Sequence, residues 1–503
     1  MDRDPEGVYA VVWHHGEPIG EIVVPGVPDL LAEALPGLAA ATLADEIAEH
    51  QLRDALTARE GLRLVADRGL AAVEHPGRPI TDARDVTVAV CTRDRPDDLR
   101  RCLAAIGSLI SAVAEVLVVD NASADSSTRD VAGEFPFVRY VWEPRQGLDF
   151  ARNRALLEAS TPYVAFTDDD VIVHPRWVDG LLRAFQEEPS AVVVTGLVVP
   201  AELATPAPLV FEAEGGFGRG FRRQYFAAAV GNGEVAARRY AGIGRAGTGA
   251  NMAVRRAPVL ELGGFDPALD VGTPTGGGGD LELYFRVIAA GHALVYEPTA
   301  VVRHRHRQTM EGLARQRRGD GTAFASWFLG AGRRYGPVQF AHFLRATARW
   351  LWLHHTRHLV LSLLAPEVRS PVTIRADARG AVDAVAGRYY RRARRHAATQ
   401  LAAHPDLPVP PPLRHTPARL RRSTTSPAAV SVDLSRNGLW ADCDERIEGR
   451  DAPTVTVHVA RPAEGSLRFE VETGGVGLSA ARLRRELAAR LGPQDLGPHL
   501  AGG

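Results

Sequence analysis

Short apolar segments alternate with helical segments between residues 85 and 307 of this 503-residue chain, and this alternation constrains the fold more than any other feature. The apolar segments have the length and the valine content of buried strands. They cover residues 86–91, 116–119, 138–142, 163–166 and 192–195. Strands that alternate with helices form a mainly parallel sheet with helices on both faces. We therefore expect an α/β fold.

Further modules are predicted on either side of this region, which we place at residues 83–310. Residues 8–24 predict two short strands around a turn at His15-Gly16-Glu17-Pro18, and residues 30–68 have the Ala and Leu content of helices. We expect an N-terminal α+β module over 1–82, a basic helical extension over 311–403, a stiff, poorly packed proline-rich linker over 404–426 and a small α+β module over 427–503.

Composition and charge exclude several classes of protein. Lys and Arg number 59 against 60 Asp and Glu, so no overall field favours nucleic acid or an anionic membrane. The three cysteines, at 91, 102 and 443, form no Cys-x-x-Cys pair, which argues against a disulfide scaffold or a structural zinc site. The acidic N-terminus is unlike a signal peptide, and residues 350–364 are too short and too polar to span a membrane. We expect a cytoplasmic protein.

Three consecutive aspartates, Asp168, Asp169 and Asp170, come soon after the apolar segment that ends at Phe166. Acidic side chains at the end of a buried strand suit a hard divalent cation better than they suit a core. Because alternate side chains of an extended chain point the same way, Asp168 and Asp170 can share one ion while Asp169 faces elsewhere. A metal in this position indicates a phosphate-bearing substrate. The alternative is a solvated acidic turn before the next helix.

Polar residues also follow the first two predicted strands. Thr92, Arg93 and Arg95 come after the first strand, and Asp120 and Asn121 come after the second. Ligands of parallel α/β sheets bind beyond the carboxyl ends of the strands, where the three aspartates are also expected. One shared pocket for a nucleotide is therefore predicted, with ordinary polar caps on the strand ends as the alternative.

Two further segments contain candidate binding residues. A glycine turn at Gly147 leads into a helix with arginines, including Arg152, near its start. Positive groups there oppose the helix dipole, so an anionic ligand explains them better than helix stability does, although surface solvation is the alternative. Downstream, small residues surround Asn251, whose amide can hydrogen-bond a sugar hydroxyl.

Asp280 follows a run of four glycines and stands near the start of another predicted helix. A carboxylate in that position can take a proton from an incoming hydroxyl group, whereas a simple helix cap is the alternative. His304 and His306 flank Arg305 after an apolar segment, so both imidazoles can face one pocket and one of them can join the aspartates at a metal.

Together, these motifs resemble the family 2 glycosyltransferases with the GT-A fold. The matching segments are residues 88–96, 118–123 and 147–153, the Asp168-x-Asp170 element, residues 263–266 and the pattern from Gly279 to Arg286. They span about 220 residues, which is less than half of the chain. The resemblance implies a Rossmann-like, mixed and mainly parallel sheet flanked by helices.

The resemblance also implies roles for individual residues. Thr92, Asp120 and Arg152 would hold the nucleotide of a sugar donor, with Asp168 near its ribose or the metal. Asp170 and His304 would complete a Mn²⁺ or Mg²⁺ site that neutralises the diphosphate leaving group. Asp280 would be the general base for in-line attack with inversion. The expected nucleotide-sugar site comprises Thr92, Arg93, Arg95, Asp120, Asn121, Gly147, Arg152, Asn153, Asp168, Asp169 and Asn251.

The chain departs from the family pattern at one position and leaves the acceptor open. The family commonly has Glu-Asp where this chain has Gly279-Asp280, which affects the acceptor contacts more than the base. The acceptor is expected to be a hydroxyl of a glycan, a lipid-linked glycan or a small metabolite. The Gly-rich, aromatic segment 211–223 is predicted to cover it, with a solvated connection as the alternative. Residues 340–364 suit peripheral membrane contact or an ordinary packed helix pair.

Two other classes of protein compete with this interpretation. A nucleotidyltransferase on a similar sheet would usually have a glycine-rich basic loop after the first strand, but Thr92-Arg93-Asp94-Arg95-Pro96 contains no glycine. A non-catalytic carbohydrate-binding or scaffold protein derived from the same fold is the other alternative. The presence of Asp168, Asp170, Asp280 and His304 together argues against it.

Overall fold

The computed structural model of the protein describes residues 7–25, 34–57, 85–227, 243–337, 340–341, 343–345, 348, 352, 370–415, 428–433, 454–461, 465–472, 480–488 and 490. The N-terminal part contains strands β1 (Gly7–His14) and β2 (Glu17–Pro25) and helices α1 (Leu35–Thr42) and α2 (Ala44–Thr57). The strands form an antiparallel hairpin around His15 and Gly16, as the sequence predicts. Residues 30–33 and 58–68 of the predicted helical stretch lie outside the described residues.

The central part alternates strands with helices. Its elements are β3 (Val86–Thr92), α3 (Pro96–Ile106), β4 (Glu115–Asp120), α4 (Ser127–Gly133), β5 (Val138–Trp142), α5 (Leu148–Glu158), β6 (Tyr163–Asp168), β7 (Val171–Val173), α6 (Trp177–Glu187), β8 (Ala191–Pro200), α7 (Pro206–Ala213), β9 (Gln224–Phe226), β10 (Asn251–Arg255), α8 (Arg256–Glu261), α9 (Gly279–Ala289) and β11 (Ala293–His304). Short 3₁₀ helices cover Gly107–Ala112 and Ile243–Ala246.

The C-terminal part begins with helices and ends with a small sheet. It contains α10 (Met310–Ala325), a π-helical turn at Ser326–Gly330, a 3₁₀ helix at Ala331–Tyr335, α11 (Pro371–Ala386), α12 (Tyr389–Ala403), β12 (Ala428–Asp433), β13 (Thr454–Arg461), β14 (Gly465–Glu472) and α13 (Ala480–Ala488). Most of residues 340–364 lie outside the described part of the chain. None of the helices that the structure describes is long and apolar enough to cross a membrane.

The central strands form one mixed sheet with the order β5-β4-β3-β6-β10-β8-β11-β7, and β9 pairs with β11. Strands β3, β4, β5, β6, β8 and β11 run in one direction, and β7, β9 and β10 run in the other. The mainly parallel α/β architecture that the sequence predicts is thus confirmed. The sequence does not predict strand β10, because its segment from Asn251 to Arg255 includes residues of low β propensity such as Asn and Ala. The strand is stabilised by antiparallel pairing with β6 on one side and β8 on the other.

Apolar side chains fill both faces of this sheet. One cluster packs α5 and α9 against the sheet and includes Phe265, Tyr284 and Trp327. The other packs α3 and α6 against the opposite face and includes Trp177 and Phe185. Because both faces are covered, ligands can approach the strands only at their ends.

The first part of the proline-rich segment packs against the central domain, in contrast to the poorly packed linker that the sequence predicts. Arg145 donates a hydrogen bond from Nη2 to the carbonyl of Pro408 over 3.1 Å, and the backbone N–H of Arg414 donates to Leu262 over the same distance. His415 Nε2 lies 3.5 Å from Oε1 of Glu282. Proline carbonyls remain good acceptors, so this extended segment can bind without forming a regular element.

Candidate active site

A cavity of about 460 Å³ lies beside the carboxyl end of β6. Arg152 from α5, Asp168 from β6 and Asp280 from α9 all line it, so three of the predicted site residues meet although they are far apart in sequence. Other residues of the lining come from the predicted acceptor-covering segment 211–223 and from two segments outside the predicted motifs. The further charged residues of the lining are Glu214, Arg219, Asp270, Arg317, Asp320 and Asp377.

Asp280 is the second residue of α9, whose N-cap is Gly278 with φ +94°. Its carboxylate accepts hydrogen bonds from the backbone N–H of Gly249 over 2.9 Å and of Leu281 over 2.8 Å. Burial raises the pKa of Asp280, the charge of Asp270 raises it further, and Arg152 opposes both effects. A carboxylate with a raised pKa is better matched to general-base catalysis near neutral pH than an ordinary aspartate.

Arg152 is almost fully buried and belongs to a cluster of carboxylates. Its Nη1 donates to Oδ1 of Asp149 over 3.2 Å and to Oδ2 of Asp270 over 2.6 Å. These ion pairs fix the guanidinium at the cavity wall, where it can also contact an anion. The arginine at the start of α5 is thus partly neutralised by neighbouring acids, which the helix-dipole argument alone did not predict.

Asn121 and Gly147 lie at the start of α5, where Gly147 is the N-cap residue. Asn121 donates from Nδ2 to the carbonyl of Arg145 over 2.7 Å and accepts from the N–H of Gly147 over 2.8 Å. Gly147 has φ +140°, which side chains rarely allow. Neither residue lines the cavity, so their contacts position the start of the helix.

The side-chain amides of Asn153 and Asn251 form hydrogen bonds with other groups inside the fold. Asn153 exchanges two hydrogen bonds with the backbone of Phe265, at 2.9 and 2.7 Å. Asn251 donates to the carbonyls of Leu197 and Ala300 and accepts from Nε1 of Trp177. Both amide protons of Asn251 are thereby used, which leaves none for a sugar hydroxyl. The structure therefore gives Asn251 a packing role between strands instead of the predicted sugar contact.

Thr92 and Arg95 bind the aspartates that follow β6. The hydroxyl of Thr92 donates to Oδ2 of Asp169 over 2.7 Å, and Nη1 of Arg95 lies 3.0 Å from both Oδ1 of Asp169 and Oδ2 of Asp170. Burial raises the pKa of Asp169 to about 6, although Arg95 and Thr92 lower it. Asp169 and Asp170 line a second cavity of about 320 Å³, next to Arg101 and Arg305, whereas Asp168 lines the larger cavity. The predicted alternation, with Asp169 facing away from Asp168 and Asp170, is therefore wrong, because β6 ends at Asp168 and the next two residues form a turn.

Two other predicted residues lie at the strand ends without lining the larger cavity. Asp120 is fully buried and accepts hydrogen bonds from the hydroxyl of Tyr140 over 2.8 Å and from the N–H of Ser123 over 3.1 Å. Arg93 is half-exposed and pairs with its neighbour Asp94 at 3.2 Å. Asp120 thus shapes the turn after β4.

Asp170 and His304 form the candidate metal site. Oδ1 of Asp170 lies 3.3 Å from Nε2 of His304. Burial raises the pKa of Asp170, but the charge and hydrogen bond of His304, together with the charges of Arg95 and Arg307, outweigh burial and hold the pKa below its usual range. Burial and the charge of Asp170 raise the pKa of Asp168. Among the described residues, no group of three or more His, Cys, Asp and Glu side chains is arranged to hold a metal.

The donor set nevertheless suits a divalent ion that also takes substrate oxygens. Ligands at right angles and about 2.1 Å from an octahedral ion lie about 3 Å apart, which is close to the separation between Asp170 and His304. Mg²⁺ and similar ions are commonly held by one or two protein ligands plus substrate phosphates. Two protein ligands therefore fit the ion that the family resemblance implies.

A chain of buried contacts extends from His304 away from Asp170. Nδ1 of His304 lies 3.0 Å from Nδ1 of His306, and Nε2 of His306 lies 2.7 Å from Oε1 of Glu212. The aromatic rings of Phe217 and Phe211 pack against these imidazoles. The segment 211–223 is therefore packed on the histidine pair where it begins, and the solvated alternative does not describe Phe211 and Phe217.

Sequence reasoning missed several residues that line the cavity or bind Arg152 beside it. Asp149 and Asp270 bind Arg152, and Arg317, Asp320 and Asp377 come from α10 and α11, which were assigned to a separate extension. No spacing pattern in the sequence links these helices to the sheet. The one local signal was the acidic residue at 149, directly inside the motif that leads to Arg152.

Comparison with known proteins connects this geometry to a family. Residues 87–241 match the model of glycosyl transferase family 2. The chain contains a family 2 glycosyltransferase domain. The matched part of the glycosyltransferase domain includes the strand-end residues from Thr92 to Asp170, whereas Asp280 and His304 lie beyond it.

Individual proteins of known name are similar to part of this chain at modest sequence identity. A pre-mycofactocin glycosyltransferase of Mycobacterium tuberculosis is 29% identical over 270 residues, which are 53% of this chain and 52% of the relative. A glucosyl-dolichyl phosphate glucuronosyltransferase of Haloferax volcanii is 27% identical over 200 residues, 38% of this chain and 58% of that protein. The chain thus spans little more than half the length of these relatives. A solved mannosyltransferase of Pyrobaculum calidifontis is 18% identical, with a TM-score of 0.41 over 67% of this chain and 99% of its own.

Proposed function

We propose that the protein is an inverting, metal-dependent glycosyltransferase that moves a sugar from a nucleotide-diphosphate donor to an acceptor hydroxyl. The observation that carries the proposal is the single cavity lined by Arg152, Asp168 and Asp280. It combines a cation for a diphosphate, an acid at a strand end and a buried carboxylate with a raised pKa. These are the groups that glycosyl transfer from an anionic donor needs.

The residues have distinct roles in the proposed reaction. Asp280 removes the proton from the acceptor hydroxyl while the acceptor oxygen forms a bond to the anomeric carbon. The bond from that carbon to the diphosphate oxygen breaks on the opposite face, so the configuration inverts. Arg152 stabilises the negative charge on the departing diphosphate. Asp170 and His304 would hold Mn²⁺ or Mg²⁺, which neutralises charge on the leaving group when bound.

The rest of the site is assigned by position. Thr92, Arg93, Arg95 and Asp120 at the strand ends remain our candidates for the nucleotide side. The wall made by residues 214–219, α10 and α11 faces the acceptor in this proposal, which is consistent with the predicted role of the segment 211–223. The acceptor class and a cytoplasmic location remain predictions.

A thermal-shift titration with nucleoside diphosphates, each with and without Mn²⁺, tests the donor site. A ligand that binds only the native state raises the unfolding midpoint. We expect a metal-dependent increase with one nucleotide and its loss in Asp170→Asn. Transfer or hydrolysis of the matching nucleotide sugar, followed by NMR of the anomeric proton, then tests inversion. No midpoint change with any nucleotide at saturating concentration would favour the non-catalytic alternative.

A further inference from the structure

Asp149 occupies the space in which a side chain of residue 279 would begin. A Cβ atom placed on Gly279 would lie 2.6 Å from Cγ of Asp149 and closer still to its Oδ2. Approaches below 3.0 Å essentially never occur for real Cβ atoms. A side chain at residue 279 and the present position of the Asp149 carboxyl therefore exclude each other.

The glycine at residue 279 is explained by this lack of space. Gly279 is the first residue of α9, and it is absent from the glycines with positive φ. Its neighbour Gly278 has φ +94° and so has a conformational reason to be glycine. Residue 279 lacks that reason, so the packed carboxyl of Asp149 is the feature that requires a glycine.

The carboxyl of Asp149 is committed to Arg152. Asp149 is fully buried, and its Oδ1 accepts a hydrogen bond from Nη1 of Arg152. Its Oδ2 is buried and has no hydrogen-bond partner among the described residues. Burial and the charge of Asp270 raise the pKa of Asp149, while Arg152 lowers it. An incompletely paired buried carboxyl costs free energy, so its presence calls for a role.

We propose that Asp149 is a positioning residue. It supplies from α5 a carboxylate to Arg152, in the space that a glutamate at residue 279 would otherwise occupy. It holds the guanidinium of Arg152 at the cavity wall. This explains the departure noted in the sequence, where Gly279 stands in the place of the usual glutamate. The inference rests on the proposed function, because Arg152 acts there on the donor diphosphate.

Moving the carboxylate between the two positions tests the proposal. The variants are Asp149→Ser, Gly279→Glu, the double variant Asp149→Ser/Gly279→Glu and the control double variant Asp149→Ser/Gly279→Ala. Both double variants remove the crowding between residues 149 and 279, but only Asp149→Ser/Gly279→Glu restores a carboxylate. The measurements are the thermal unfolding midpoint and the affinity for UDP and GDP in the presence of Mn²⁺.

We expect each single variant to bind the nucleotide at least about tenfold more weakly, since a hydrogen bond to a charged group is lost or displaced. The double variant with glutamate should return to within about threefold of the wild type and recover its midpoint. The control with alanine should stay weak in binding and below the wild type in midpoint, because Arg152 lacks one carboxylate. Equal behaviour of the two double variants would overturn the proposal and leave Asp149 as a space-filling residue.

The two readouts separate this inference from the proposed function. If the wild type binds neither UDP nor GDP, that outcome counts against a donor site for these nucleotides. The midpoints still decide the present inference, because the glutamate double variant should be more stable than the alanine control whether or not a nucleotide binds.

Discussion

The Nδ1 atoms of His304 and His306 lie 3.0 Å apart, so one ring must donate a proton to the other. Because Nε2 of His306 faces the carboxylate of Glu212 at 2.7 Å, that nitrogen carries a proton. A neutral His306 then accepts at Nδ1, and His304 donates from its own Nδ1. Nε2 of His304 faces Oδ1 of Asp170 and donates its proton to that carboxylate. A metal bound at Nε2 would replace this proton, and the Nδ1 proton held by His306 would fix the tautomer that a metal ligand requires.

We expect His306→Phe to lower the affinity for Mn²⁺ about 10- to 100-fold, the usual effect of losing an outer partner of a metal ligand. The concentration of free Mn²⁺ can be measured by electron paramagnetic resonance, without any assay of activity. His306→Gln is the matched control, because its amide oxygen can accept from His304, and it should retain most of the affinity. Equal affinities in wild type and His306→Phe would argue that the histidine pair only packs against Phe217.

Replacement of Asp280 by Asn should lower donor turnover about 10²- to 10⁴-fold, the range for removal of a general base. Nucleotide affinity should change little, since the carboxylate acts on the acceptor. Because burial raises the pKa of Asp280, the acidic limb of the kcat/KM profile should lie above the range of an ordinary aspartate near pH 4. A kcat/KM that does not change with pH above about pH 4 would contradict the role of Asp280 as the general base.

Asp377 should make the protein less stable as the pH rises. Burial, followed by the charge of Asp320, raises its pKa to about 7, whereas an unfolded aspartate ionises near pH 4. The protonated form is therefore favoured in the folded state, and its contribution is full below about pH 4 and lost as the pH rises through about 7.

The variant Asp377→Asn isolates this effect because its side chain stays neutral. Relative to wild type, its free energy of unfolding should be higher at pH 8 than at pH 4 by at least about 1 kcal/mol, since one pKa unit corresponds to about 1.4 kcal/mol. Denaturant titrations at the two pH values measure the difference. The same difference in unfolding free energy between variant and wild type at pH 4 and at pH 8 would show that Asp377 ionises normally in the folded protein.

Substitution of Asn251 by Ala should affect stability instead of ligand binding. It would leave Nε1 of Trp177 and the carbonyls of Leu197 and Ala300 without their partner. We expect a loss of about 3 kcal/mol in the free energy of unfolding, because each unsatisfied buried group costs about 1–3 kcal/mol. Nucleotide affinity well below the unfolding midpoint should be unchanged. A large loss of affinity with intact stability would restore the sugar contact that the sequence suggested.

The sequence by itself determined the alternation of strands and helices and placed the acids at the strand ends. Strands β3, β4, β5, β6 and β8 were predictable because apolar runs of this length depend on residues that are neighbours in the chain. The same local order placed Thr92, Asp120 and Asp168 at one edge of a parallel sheet. The resemblance to family 2 glycosyltransferases rests on that order, and the match over residues 87–241 confirms it.

Only the tertiary structure decided which polar groups remain for a ligand. Asn121, Asn153 and Asn251 occupy motif positions, yet their amides are paired with backbone and side-chain groups that come from elsewhere in the fold. The wall from α10 and α11, the contact of His306 with Glu212 and the packing of Asp149 against Gly279 were equally unreadable. The hydrogen-bond partner of a side chain, and the volume that its neighbours occupy, depend on which distant segments pack together. The residue periodicity within one segment does not contain that information.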